Sequence, residues 1–123
     1  PIFYAVKIGN PEMVRILISH KAKVDIEDPS GNTPLILSAR FPNLDVIDIL
    51  LDFGADINHQ NREGTTALMR AVEFGNFFVV RRLLDANPDL SLQDFGGRDV
   101  MMLSAQGRNQ KIQNTIEKLY NKK

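Results

Sequence analysis

Two histidines, a line of aspartates, one glycine pair and a basic C-terminal end are the parts of this sequence with chemical potential. His20 and His59 could act as general bases or metal ligands, because imidazole titrates near neutrality. A proton relay needs an acid or nucleophile held beside the ring, and the two histidines share no such recurring neighbour. Zinc needs further nitrogen or sulfur ligands, which two histidines and no cysteine do not supply. Asp45, Asp48, Asp52 and Asp56 suggest a cation cage, but the first three follow helical spacing and read as a solvated stripe. Gly96-Gly97 lacks the strand and the Gly-Lys-Ser/Thr ending of a phosphate loop. Residues 100–123 carry Arg108, Lys111, Lys118, Lys122 and Lys123 against Glu117 alone. That end could attract phosphates, but it reads more simply as a solvated end of the chain. The expectation is therefore no enzyme, no cofactor and no metal.

Bulk properties agree. The chain has 123 residues, enough for one small domain, and 43% of them are apolar, an ordinary fraction for a folded protein. Fifteen basic and fifteen acidic residues give no general pull toward nucleic acid or membrane. No apolar run approaches the roughly 18 residues needed to cross a bilayer, and the first residues do not form a signal peptide. A chain without cysteine fits a reducing, intracellular compartment, cytoplasmic or nuclear.

What must position any functional residue is a repeat. Asn10, Asn43, Asn76 and Asn109 are spaced 33 residues apart, as are Gly31, Gly64 and Gly97. A fixed period of this length marks a stacked array of supersecondary units. Within each unit the punctuation recurs. Asp28-Pro29-Ser30-Gly31 is a turn signal; Thr33, Thr66 and Asp99 can cap a first helix, with Pro34 at its first position. Pro1–Ile8 reads as the first helix of repeat one. Pro42 ends its helix by Phe41. The recurring asparagines cap a second helix, read as Leu44–Phe53 in repeat two and Phe77–Ala86 in repeat three. Lys21 and Asn87 stand where a helix-ending glycine would be expected. In repeat four the apolar doublets of the second helix become Ile112-Gln113 and Ile116-Glu117, the polar outer face of a terminal unit.

These residues resemble the ankyrin repeat, whose pattern runs D-x-x-G-x-T-P-L, small residues, a Gly-His turn, paired aliphatics and Gly-Ala-Asp. Repeat two supplies Asp28, Gly31, Thr33-Pro34-Leu35, Ala39, Val46-Ile47, Leu50-Leu51 and Gly54-Ala55-Asp56. A tetratricopeptide array has a nearby period but neither this turn nor this helix start. The resemblance covers essentially the whole chain. It implies an all-α solenoid of helix–turn–helix units joined by hairpin-like loops. The single domain, residues 1–123, divides into repeats at about 1–25, 26–58, 59–91 and 92–123. The first repeat lacks its hairpin, and the chain is expected to be part of a longer one.

The resemblance also implies function: a monomeric module that binds another protein through a concave surface, with no nucleic-acid or membrane partner. The alternative is a module that positions substrate within a larger multidomain enzyme or effector. In the family, the hairpin tips and the exposed side of the first helix form that surface. On this chain they include Arg40 and Phe41, then Arg62, Glu63, Thr65, Arg70, Glu73 and Phe74, then Phe95 and Arg98. Phe41 and Phe74 share a register position and are expected to be neighbours. Interleaved aromatics and arginines are the composition of binding hot spots, with Arg62, Arg70 and Arg98 as rim donors. The family's TPLH histidine is replaced by Phe3, Ile36, Met69 and Met102, which predicts apolar packing along that row. Finally, Arg15, Asp48 and Arg81 share a register position, which predicts an Arg–Asp–Arg ladder across helices about 8–10 Å apart.

Overall fold

The computed structural model describes residues 1–121; Lys122 and Lys123 of the basic end lie outside the described residues. Eight helices follow one another in four pairs: α1 (Ile2–Ile8) with α2 (Pro11–Ser19), α3 (Pro34–Arg40) with α4 (Leu44–Asp52), α5 (Ala67–Phe74) with α6 (Phe77–Leu84), and α7 (Val100–Gln106) with α8 (Gln110–Asn121). Each pair packs on itself. The first helices form one row, α1 on α3 on α5 on α7, and the second helices form another, α2 on α4 on α6 on α8. All but α8 are nine residues or shorter, too short to persist alone in water. Their stability comes from burying one side against each neighbouring repeat.

The helix starts are set by side chains. Asn10, Thr33, Asn43, Thr66, Asn76 and Asp99 each accept a backbone N–H from the first turn of the helix they precede. Helices α1, α2, α4, α5 and α6 end in left-handed backbone, at Gly9, Gly54 and Gly75 and at two positions that are not glycine, Lys21 at φ 75° and Asn87 at φ 54°. Helices α4 and α6 stop at Asp52 and Leu84, slightly short of the expected Phe53 and Ala86, and α1 begins at Ile2 rather than Pro1; terminal turns fray into the cap.

The core is the set of residues held between successive repeats. Leu35, Leu50, Leu68, Leu83, Ile112 and Ile116 are fully buried. In the row that replaces the TPLH histidine, Ile36 and Met69 are buried and Phe3 is half-buried, whereas Met102, in the last repeat, is 45% exposed. Place in the stack decides burial in the same way at the other end. Ile16 is 49% exposed and its equivalent Ile49 only 5%. Met13 and Leu17 are half-buried, while Val46, Val79, Leu50 and Leu83 at the same positions are sealed. The α8 helix runs longer than the others. Its Tyr120 hydroxyl donates to the Leu90 carbonyl at 2.6 Å, tying the end of the stack to the preceding connector. Burial, with help from the negative charge of Asp99, pushes the Tyr120 phenol above its ordinary range.

The predicted Arg15–Asp48–Arg81 ladder does not form. Asp48 pairs with Arg82, one position further on, and this pairing holds the Arg82 guanidinium above its ordinary range. The reason lies in the translation that relates the repeats. Residues at one register position all point the same way along the stack, so a forward-facing Asp48 cannot meet a forward-facing Arg81. It meets Arg82, which faces back, while Arg81 lies beside Thr115, Lys118 and Leu119 of the next repeat.

Two stability measurements check this packing. Leu50→Ala opens a sealed core site and should cost about 2–5 kcal/mol, whereas Leu17→Ala at the same register position should cost well under half as much in the same denaturant titration. In a double-mutant cycle, Asp48→Ala and Arg82→Ala should show favourable coupling, and Asp48→Ala with Arg81→Ala should be additive.

Candidate binding surface

The connectors that carry the tip residues are rigid. Asp28, Asn61 and Asp94 each fold a side chain back over their own turn. Their Oδ1 atoms accept the N–H groups two and four residues on, at 2.9 and 2.9 Å, 2.9 and 3.0 Å, and 2.9 and 3.0 Å. Gly31, Gly64 and Gly97 then all take φ 79°, which only glycine adopts without strain. Successive turns are joined to one another: the Arg62 N–H donates to the Ser30 carbonyl at 3.1 Å and the Phe95 N–H to the Glu63 carbonyl at 3.0 Å. Gln60 Nε2 bridges the Gly64 and Gln93 carbonyls at 3.0 and 2.9 Å. The contact is close enough that a Cβ on Gly64 would lie 2.7 Å from the Phe95 ring and 2.8 Å from its backbone nitrogen.

Phe95 therefore rests on a fixed backbone while its side chain is 76% exposed. It borders an open cleft of about 400 Å³ together with Arg62, Glu63, Arg70, Glu73 and Arg98. A smaller groove of about 250 Å³ adjoins it, lined by Arg40 and Phe74 and sharing Glu63 and Arg70. Nine of the ten residues read from sequence thus border one pair of adjoining clefts. The tenth, Phe41, lines neither; it is half-buried, with the Arg40 guanidinium 5.6 Å from its ring centre. Phe74, its register equivalent, is 53% exposed. The two rings share a register but not a groove. Thr65, expected on the open surface, is buried instead, because its N–H and carbonyl close the turn with Asn61.

Much of the charge in the first cleft is already compensated. Arg98 holds Asp94 through Nε at 2.9 Å and Nη2 at 2.8 Å. Burial alone would raise the Asp94 carboxyl, but the N–H groups of Arg98 and Gly96 and the Arg98 guanidinium together keep it below its ordinary range. Arg70 stands 3.8 Å from Glu63 and 3.9 Å from Glu73, long pairs that leave its guanidinium available. Arg62 makes no ion pair among the described residues.

Sequence reading missed the exposed aromatics Tyr4 and Phe53 and, most exposed of the three, Phe78, 69% exposed and edge-on to Phe77 at 5.9 Å between ring centres. The signal was present for Phe78: the same register position holds Glu12, Asp45 and Lys111 in the other repeats. The candidates for chemistry stand apart from these clefts. His20 Nδ1 contacts the Ile16 carbonyl at 2.8 Å, and His59 Nε2 lies 2.9 Å from Glu27. Among the described residues no group of three or more His, Asp or Glu is arranged to hold a metal, and no helix is long and apolar enough to cross a membrane.

Paired short helices, stacked in two rows and joined by Asp/Asn–Gly turns at a constant period, define an ankyrin-type solenoid. A family model for ankyrin repeats in three copies matches residues 1–61 and again 38–122. The chain belongs to the ankyrin-repeat family. No curated protein sequence matches it. Ankyrin repeats are generally protein–protein interaction modules, and the family is typically non-enzymatic.

Asp94 offers a direct test of the turn. Asp94→Ala strands the N–H groups of Gly96 and Arg98 and should cost about 1–3 kcal/mol. Asp94→Asn keeps the acceptor, as Asn61 does in the previous repeat, and should cost less at pH 7. A carboxyl held below its unfolded value of about 3.9 adds stability above that pH, and loses it as pH falls through the lower folded value. Acid unfolding should therefore be shallower below about pH 4 for Asp94→Asn than for the parent.

Proposed function

We propose that this chain is a protein-recognition module whose partner lies across the hairpin tips and the adjoining ends of α3, α5 and α7, the concave side of the family's solenoids. The observation that supports this most is the pairing of exposure with rigidity. Phe95 and Phe74 present their rings to solvent from backbone that turn and helix hydrogen bonds hold in place, with arginines between them. Ordering such rings costs little entropy when a partner covers them, and aromatic and arginine side chains dominate hot spots. The polar rim supplies charge-assisted donors from Arg62, Arg70 and Arg98. No chemical step is assigned to the module.

The test is to capture partners from a lysate with the parent chain, identify one, and measure its affinity for variants. Phe95→Ala and Phe74→Ala should unfold within about half a kcal/mol of the parent, since both rings are exposed. At least one should lose 2 kcal/mol or more of binding, about thirtyfold in Kd. Parent-like affinity in both variants would place recognition elsewhere on the chain.

A further inference from the structure

Phe74 separates two grooves. On one side is the groove it shares with Arg40. On the other is a larger groove of about 700 Å³ lined by Glu73, Gly75, Gly107, Arg108, Asn109 and Lys111. Two glycines line that second groove: Gly75, where a Cβ would meet no atom within 4 Å, and Gly107, extended at φ −80°, ψ 174°. Its floor is pinned by Asn109 Nδ2 donating to the Gly75 carbonyl at 3.2 Å.

The charges around Phe74 are unbalanced. Arg40, Arg108 and Lys111 make no ion pair among the described residues. Arg40 and Lys111 instead sit over rings, Lys111 with its ammonium 5.5 Å from the Phe77 centre. The carboxylates present, Glu63 and Glu73, both lean toward Arg70. The surface is therefore an exposed ring flanked on both sides by exposed, unpaired cations. A wholly apolar ligand would desolvate those cations without replacing their water, and a basic ligand would be repelled.

We infer that the occupant of this surface is a short protein segment in which an apolar side chain is flanked by carboxylates. The apolar side chain covers Phe74, while its acidic neighbours reach Arg40 on one side and Arg108 with Lys111 on the other. The inference rests on the recognition reading above and names the chemistry of the partner. Single-stranded nucleic acid also combines negative charge with stacking, but Glu63 and Glu73 in the grooves disfavour a continuous phosphate chain, and the grooves offer one exposed ring rather than a row.

Selection of short random peptides on the parent chain at moderate salt tests this. The enriched peptides should place Asp or Glu on either side of a Phe, Leu, Ile or Trp. Their affinity should fall at least tenfold for Phe74→Ala and for Arg108→Glu, and should weaken as salt rises. Arg108→Glu changes an exposed residue that makes no ion pair among the described residues, so parent-like stability is expected, and circular dichroism melts check both variants. Enrichment of neutral or basic peptides overturns the inference. So does binding that depends on Phe95 and Arg62 but not on Phe74 and Arg108; in that case the recognition reading stands and only the acidic-segment assignment falls. Failure to enrich any peptide counts against both. Tighter binding of oligouridine than of the acidic peptides assigns the surface to nucleic acid and overturns it.

Discussion

Every interface in this chain joins the forward side of one helix pair to the backward side of the next. One translation generates the stack, so side chains pair across it at unlike register positions, as in any head-to-tail interface, although Gln60 Nε2 reaches the backbone carbonyl of its own register equivalent, Gln93. Asp48 meeting Arg82 is the plainest case, and Asn43 Nδ2 donating to the Gly9 carbonyl at 3.2 Å is another. The same rule sets burial. A backward-facing aliphatic is sealed when a helix pair precedes it, as Ile49 is, and open otherwise, as Ile16 is. Stability is then close to a sum of repeat terms and nearest-neighbour terms, and no residue gains from a partner two repeats away.

Legibility in the sequence depends on how local each cause is. Helix starts are readable because a cap needs one side chain and the next three residues: Thr33, Asn43, Thr66, Asn76 and Asp99 all cap where their spacing places them. Turns are readable because an Asp or Asn with glycine three residues on has few other conformations available. The direction of a side chain along the stack is not readable from period alone. Shared register does not imply contact, which is why Arg82 stands where a ladder would need Arg81. Thr65 escapes a sequence reading for a related reason. It sits among variable tip positions, but the turn spends both of its backbone groups on Asn61 and draws it inward.

Deviation from the period is a better guide to surface than composition. Phe41 and Phe74 are the same residue at the same position, yet Phe41 is half-buried and Phe74 exposed. The residue that follows differs: Pro42 after one ring, and after the other Gly75, left-handed at φ 72°. Phe78 stands where other repeats place charge, and Lys111 stands where repeats one and two place Glu12 and Asp45. A position that breaks an otherwise strict repeat is not being held by the stack, so its side chain is free to answer to something outside it.

These deviations divide the surface into two electrostatically different ends. At the hairpin tips Arg98 is committed to the buried Asp94, and Arg70 is shared between Glu63 and Glu73. Arg62 is the tip arginine left without an ion pair among the described residues, so beyond that one donor the tips contribute mainly shape and register. Around Phe74 the cations have no carboxylate of their own, so charge complementarity at that end acts at long range and speeds encounter, while burial of the rings governs how slowly a complex separates. The two ends meet at Glu63 and Arg70, which border both clefts, and at Glu73, which borders the first cleft and the groove beyond Phe74. Arg70 is thus the residue whose ion pairs set how independent they are. Releasing it from Glu63 and Glu73 would free two carboxylates beside Phe74 and cancel part of the positive field, so the long, exposed pairs at 3.8 and 3.9 Å matter less for stability than for keeping those carboxylates occupied.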